Sequence, residues 1–182
     1  MKVPDADSGG LYYLVHGEIL DSFYELKIDY EKVMLFYEMA EVILKGNIDN
    51  DHLPHAYRLF KSVLNLTEPG VFKFRLAISH FKYRMLLLLG VMPVVDHCVS
   101  CGVTERIVTP SIQRGGLVCE SCYDHEEILL SSYMIPLWRI LFKANLQQLL
   151  SVPINETELE FLEIWIASYY ENYTGIRFAK RL

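Results

Sequence analysis

Apolar and polar residues alternate with a period of two only once near the start of the chain. In LYYLVHGEIL, residues 11–20, Leu11, Tyr13 and Val15 alternate with Tyr12, Leu14 and His16, which predicts a strand. A lone strand needs a partner. It either borrows one from a missing or separate domain or packs as an irregular arm on the helices after it. From Glu31 the period lengthens to that of a helix: Val33, Phe36, Tyr37, Ala40, Ile43 and Leu44 share one face, and Gly46 with Asn47 supplies the stop. A second helix is predicted from about Pro54 through Tyr57, Phe60, Val63 and Leu64. A third takes Thr67 as its cap and Pro69 in its first turn, with Phe74, Ala77, Ile78, Phe81, Met85, Leu88 and Leu89 on its buried side. Gly90 ends it and Pro93 prevents resumption.

A fourth helix is expected to start at Ser131 or Ser132 and run through Trp138, Leu141, Phe142, Leu146 and Leu149, with Pro136 early enough to be harmless. Val152-Pro153 breaks it. Asn155 and Glu158 then form a capping-box pair ahead of Leu159, Leu162, Ile166, Tyr169 and Tyr173, and Gly175 closes the last helix. Five apolar stripes must cover one another, so the predicted fold is mainly α, a helical bundle, with the segment between the third and fourth helices inserted as a hairpin.

That inserted segment carries all four cysteines, in two pairs, Cys98-x2-Cys101 and Cys119-x2-Cys122, separated by seventeen residues. A two-residue gap lets both thiolates of a pair face one tetrahedral centre, and a hairpin-length spacer brings the second pair round to close an S4 shell. Gly102 after the first pair, and Gly115 and Gly116 before the second, are small residues where the chain is expected to turn under the metal. The pattern is that of a zinc ribbon holding one structural Zn2+. Disulfides are disfavoured because nothing else in the chain looks secreted, and a redox dithiol fits two equivalent pairs badly. A catalytic zinc keeps a position open for water, which four thiolates close. His97 and His125 flank the pairs and are read as exposed or as supporting the ligands rather than replacing one.

The 182 residues suffice for one core with a small appendage. Apolar residues at 52% and charged residues at 22% are those of an ordinary globular protein, which argues against disorder. No apolar run reaches a membrane span and MKVPDADSGG lacks the blocks of a signal peptide, so a cytoplasmic protein is expected. The net charge of −6 argues against a surface that is basic all round. Local basic patches remain: Lys73, Arg75, Lys82 and Arg84 on the third helix, Arg106 and Arg114 in the zinc loop, and Arg177, Lys180 and Arg181 at the terminus. The aromatic residues lie at core spacing and are read as packing. No P-loop, G-x-S-x-G, H-E-x-x-H or dinucleotide fingerprint is present, so an enzyme is not the leading class.

A long apolar helix ending in Gly90, then MPVVDHCVSCG, a spacer to RGGLVCESCY, and a terminal helix closing in YYENYTGIRFAKRL closely resemble the C-terminal region of the bacterial RecO family of repair and recombination proteins. SGGLYYLVHGEIL is similar to the last strand of that family's N-terminal OB-fold. The resemblance implies residues 1–28 as a remnant of that barrel with its linker, and 29–182 as the helical domain with a zinc ribbon at 96–126. A five-stranded barrel takes ~70–80 residues, so most of it is absent from this chain and binding of single strands by the barrel is not expected. The implied function is non-catalytic. The family binds single- and double-stranded DNA, anneals complementary strands, and with RecR loads RecA onto DNA coated with single-strand-binding protein. Its helical domain receives the acidic, apolar C-terminal tail of single-strand-binding protein, for which Lys82 and Arg84 are the expected cations among Phe74, Phe81 and Met85. Two other classes remain: a zinc-stabilised helical interaction module that does not touch DNA, and an enzyme using the zinc.

Overall fold

The computed structural model describes residues 16–19, 22–66, 70–125, 127–130 and 133–178. Most of the expected strand at 11–20 lies outside these, and residues 16–19 carry no regular secondary structure. Thr67, Pro69, Ser131, Ser132, Lys180 and Arg181 also lie outside the described residues. The helices are α1 (Tyr24–Lys27), α2 (Tyr30–Lys45), α3 (Leu53–Leu64), α4 (Val71–Leu88), α5 (Met134–Lys143), α6 (Leu146–Leu150) and α7 (Glu156–Thr174). Between α4 and α5 stands a two-stranded antiparallel hairpin, β1 (Ile107–Ser111) and β2 (Gly116–Cys119). The chain is mainly helical with an inserted cysteine hairpin, as the periodicity predicts.

Helix α2 starts one residue before Glu31, because the Asp29 carboxylate accepts from the Lys32 N–H at 3.1 Å and so satisfies a first-turn donor. Helix α7 begins and ends where its signals stand. Asn155 and Glu158 exchange side-chain and backbone hydrogen bonds at 3.0 and 2.9 Å, and Gly175 takes the left-handed conformation at φ 72°. The expected fourth helix is two helices. Ala144 is extended (φ −70°, ψ 155°), and Asn145 opens α6 with its own capping box to Gln148. The apolar spacing of Leu141, Phe142, Leu146 and Leu149 runs straight through this break, so periodicity alone joins the two.

The bundle is built around α4, which packs against α2, α3, α5, α6 and α7. It is not amphipathic: every residue from Leu76 to Tyr83 is buried, including Ser79, His80 and Lys82. A helix surrounded on all sides is apolar all round, or its polar groups carry partners inside. Here His80 and Lys82 carry partners. Lys82, 3% exposed, pairs with Glu38 of α2 and sits 4.0 Å from the centre of the Phe178 ring. The Tyr170 hydroxyl donates to the Lys82 carbonyl at 2.7 Å. His80 Nδ1–H donates to the Leu141 carbonyl at 3.0 Å, and Arg84 donates to the Phe142 carbonyl at 2.6 Å. Arg75 binds both oxygens of Glu163 on α7, at 3.1 and 2.6 Å, and also reaches Glu156. Its guanidinium is held protonated, chiefly by Glu163. The polar residues of α4 thereby fix the register of the helices around it.

The buried polar groups of α4 make the stability of the bundle sensitive to pH and to substitution. Burial, with Arg84 nearby, lowers His80 to about 4, although its hydrogen bond to Leu141 opposes the shift. The unfolded chain takes up this proton near the ordinary value of ~6.5, so the folded state loses stability as pH falls from ~6.5 towards 4. The loss reaches at most about 3 kcal/mol. Urea midpoints measured from pH 7 to pH 4.5 should fall, and fall less in His80→Gln, which keeps the donor without the titration. Separately, Lys82→Met leaves the Glu38 carboxylate buried without its cation and should cost about 3–5 kcal/mol. The double variant Glu38→Leu/Lys82→Met should recover most of that loss in the same unfolding experiment.

Candidate metal centre and basic groove

The two cysteine pairs occupy the open end of the hairpin. Cys98 and Cys101 lie on a tight turn closed by Gly102, whose φ of 81° is the left-handed conformation that glycine adopts without strain. Gly102 N–H donates to the Cys98 carbonyl at 2.8 Å, and Cys98 N–H to the Val103 carbonyl at 2.7 Å. Cys119 ends β2, and Cys122 ends the short 3-10 turn Glu120–Cys122. The strand register, Ile107 opposite Cys119 and Ser111 opposite Gly116, brings the second pair against the first.

The four sulfurs all lie within 4.8 Å of one another, and Cys101 Sγ is 3.6 Å from Cys119 Sγ. A disulfide would hold two sulfurs at ~2.05 Å, whereas sulfurs at the corners of a tetrahedron of ~2.3 Å bonds stand ~3.8 Å apart. The cysteines are unlinked, and their spacing fits one tetrahedral metal ion. Burial pushes the Cys98 thiol up, but N–H groups of Cys119, Cys101 and Ser100 hold it down to about 6. Contact with Cys101 and its neighbours pushes Cys122 up to about 12. Four thiols this close cannot all ionise by themselves, and a divalent cation is the group that would let them. His97 and His125 are both exposed, as expected, and His125 packs edge-on to Tyr123 at 4.7 Å.

The hairpin is tied to the bundle through backbone as well as sulfur. Val94, on the connection from α4, bonds to Gly115 at 2.9 Å and to Leu117 at 2.8 Å. A Cβ on Gly116 would meet the Val94 carbonyl at 2.6 Å. Gly116 therefore admits this crossing chain and does not turn under the metal, the role expected from its position. On the other side, Trp165 Nε1–H donates to the Pro110 carbonyl at 3.4 Å and the Tyr173 hydroxyl to the Ile112 carbonyl at 2.9 Å. Trp165, Tyr169 and Tyr173 stack along α7 at 4.7 and 4.3 Å, so the ladder of rings links the hairpin to the core.

The basic residues do not form one patch. Lys82 and Arg75 are committed to buried or half-buried carboxylates, and Lys73 and Arg106 are exposed. Arg114 bonds the Cys122 carbonyl at 2.7 Å and pairs with Asp124, bracing the second cysteine pair. Arg177 pairs with Glu171 at 2.8 Å. Arg84 instead opens onto a groove of about 1080 Å3 between α3, the end of α4 and the α5–α6 junction. Leu59, Leu66, Leu87, Leu88 and Leu146 supply its apolar surface, and His52, His55, Arg58 and Lys143 join Arg84 and His80 around it. Among the described residues no carboxylate lines it, although Lys143 also reaches Asp96 outside the lining. Arg58, Lys143 and the two histidines escape a search for basic residues on one helix, because together with Arg84 they come from three separate elements. The spacing His52, His55, Arg58, from the cap of α3 into the helix, is the sequence signal that would have found part of it.

No helix among the described residues is long and apolar enough to cross a membrane. The family described as "Recombination protein O C terminal" matches residues 28–182. The chain is also similar to proteins named DNA repair protein RecO. That of an Exiguobacterium species is 28% identical over 174 residues, spanning 93% of this chain and 68% of the relative. That of Halalkalibacterium halodurans is 26% identical over 176 residues, 96% of this chain and 69% of the relative. The Listeria innocua protein is 25% identical over 174 residues, 94% and 68%. The family match covers α2 to α7 and the cysteine hairpin together, so the chain belongs to the RecO family, through its C-terminal region.

Proposed function

We propose that this chain acts without catalysis of its own in recombinational DNA repair in the bacterial cytoplasm, as a binding and positioning component. It binds single- and double-stranded DNA, anneals complementary strands, and acts with RecR in loading RecA onto DNA coated with single-strand-binding protein. Residues 29–182 form the helical domain, 96–126 its zinc ribbon, and 1–28 the exit from the N-terminal barrel. The observation that carries the reading is the groove between α3, α4 and α5–α6: an apolar surface ringed by Arg58, Arg84 and Lys143, with no carboxylate among the described residues of its lining. An acidic peptide ending in an apolar residue and a free carboxylate needs this combination, a pocket for the side chain and cations for the charges. The groove is accordingly the site for the tail of single-strand-binding protein. Of the cations expected from sequence, Arg84 serves it and Lys82 does not, since Lys82 belongs to the core.

The ion at Cys98, Cys101, Cys119 and Cys122 is one structural Zn2+, since four thiolates suit zinc and leave no open coordination position. Arg114 and the basic residues Lys73, Lys180 and Arg181 are the candidate phosphate contacts outside the groove. A second reading, a helical interaction module that does not touch DNA, is favoured by the net charge of −6 and by the engagement of Arg75 and Lys82 with carboxylates. DNA binding that rests on scattered cations should decline steeply with salt, so retention on single-stranded DNA at low but not high salt separates the two readings.

Two further outcomes are expected. Metal analysis of protein prepared under reducing conditions should give one equivalent of zinc, and Cys119→Ser should release it. Release should also change Trp165 fluorescence, because that indole is bonded to β1. Less than half an equivalent, with all four thiols free, would overturn the zinc assignment. In calorimetry with the tail peptide, Arg58→Glu/Lys143→Glu should bind at least ~10-fold more weakly than the unaltered chain. Unchanged affinity with an intact circular dichroism spectrum would move the tail site off this groove.

A further inference from the structure

A second cleft, of about 310 Å3, lies on another side of the domain, where β1 and the turn after it meet α7. Ile112, Phe161, Ile164 and Trp165 give it apolar walls. Around it Ile128, Leu129 and Ile164 stand 72%, 56% and 68% exposed, an uncovered apolar surface next to a formed cavity. Glu127 also lines the cleft.

Glu127 is the informative residue. Its Oε2 is buried and, among the described residues, has no hydrogen-bond partner. The other carboxylate oxygen lies 3.6 Å from Arg114, too far for a hydrogen bond, and that guanidinium already serves the Cys122 carbonyl and Asp124. A buried carboxylate oxygen without a donor is costly, so it marks a place where a donor is missing. Glu160, exposed one helical turn before Ile164 on α7, adds negative charge on that face of the helix. Among the described residues no Lys or Arg lines the cleft, which disfavours nucleic acid and acidic peptides there.

We propose that this cleft docks a segment of a partner protein that presents one Lys or Arg between apolar side chains. The cation pairs with the Glu127 carboxylate and its apolar neighbours cover Ile128 and Ile164. The site is chemically opposite to the basic groove, so the domain can hold an acidic tail and a basic segment at the same time. This goes beyond the proposed function and does not rest on the identity of the groove's ligand.

The test uses the metal-loaded full chain and a random peptide library displayed on phage. Enriched peptides should carry Lys or Arg flanked by apolar residues. A synthetic peptide from that set should bind at least ~10-fold more weakly to Glu127→Gln and to Ile164→Glu, and equally well to Arg58→Glu in the basic groove. Replacing the peptide's cation by norleucine should cause a loss of the same order. Circular dichroism and metal content report whether each variant is folded, and Ile128→Ser stands in should Ile164→Glu fail. The proposal is overturned if no peptides are enriched, if the enriched ones lack a cation, or if both cleft variants bind unchanged. Concentration-dependent self-association abolished by Ile164→Glu would overturn it too, since the occupant would then be a second copy.

Discussion

Helix α4 has no solvent face along its central two turns, and everything else in the domain is arranged to make that tolerable. A buried lysine and a buried histidine on one helix would each cost several kcal/mol if left alone in an apolar core. Glu38 comes from α2, the Leu141 carbonyl from α5, and a hydroxyl from Tyr170 on α7, so three neighbours are each specified by a polar contact as well as by packing. Apolar surfaces alone allow helices to slide and rotate against one another; a hydrogen bond with one acceptor does not. A buried ion pair adds little net stability relative to an apolar pair of the same volume, so the Lys82–Glu38 contact is best understood as fixing which way the bundle assembles.

The cysteine hairpin meets a different difficulty. Its own apolar centre consists of Cys98, Val118 and Cys119 with a few partly buried neighbours, too little to hold two short strands. A metal ion held by the four thiolates would replace the missing core at one end. At the other end the hairpin is held from outside, by Val94 pairing across Gly116 and by Trp165 and Tyr173 bonding to carbonyls of the β1 turn. The cysteine cluster and the bundle are therefore mechanically connected. The stacked rings of α7 run from the hairpin into the core, and the small cleft bearing Glu127 is formed where these two parts meet.

The same arrangement divides charge between surfaces. Arg75 and Lys82 are consumed in holding helices together, which leaves Arg58, Arg84 and Lys143, from three elements, to ring a groove whose described lining is free of carboxylates. Glu127 lines the cleft between the hairpin and α7, whose described lining holds no Lys or Arg. A chain with a net charge of −6 can thus present a basic groove, because what matters to a ligand is the local field and not the sum.

Features set by chemistry between close neighbours in the chain were legible from the residues alone. Two Cys-x2-Cys pairs at hairpin spacing bring four sulfurs together wherever the rest of the chain goes, and Asn155 with Glu158 starts a helix using bonds three residues apart. The helical period located the apolar stripes because burial drives them. It could not separate α5 from α6, since the apolar spacing continues across a break that Asn145 makes with its own side chain. Nor could it sort the cations of α4. Lys82 and Arg84 are two residues apart and look alike in sequence, yet one is buried against a carboxylate 44 positions away and the other faces a groove. That difference rests on which helix packs over each side chain. It is decided by long-range contacts, and so only by the tertiary structure.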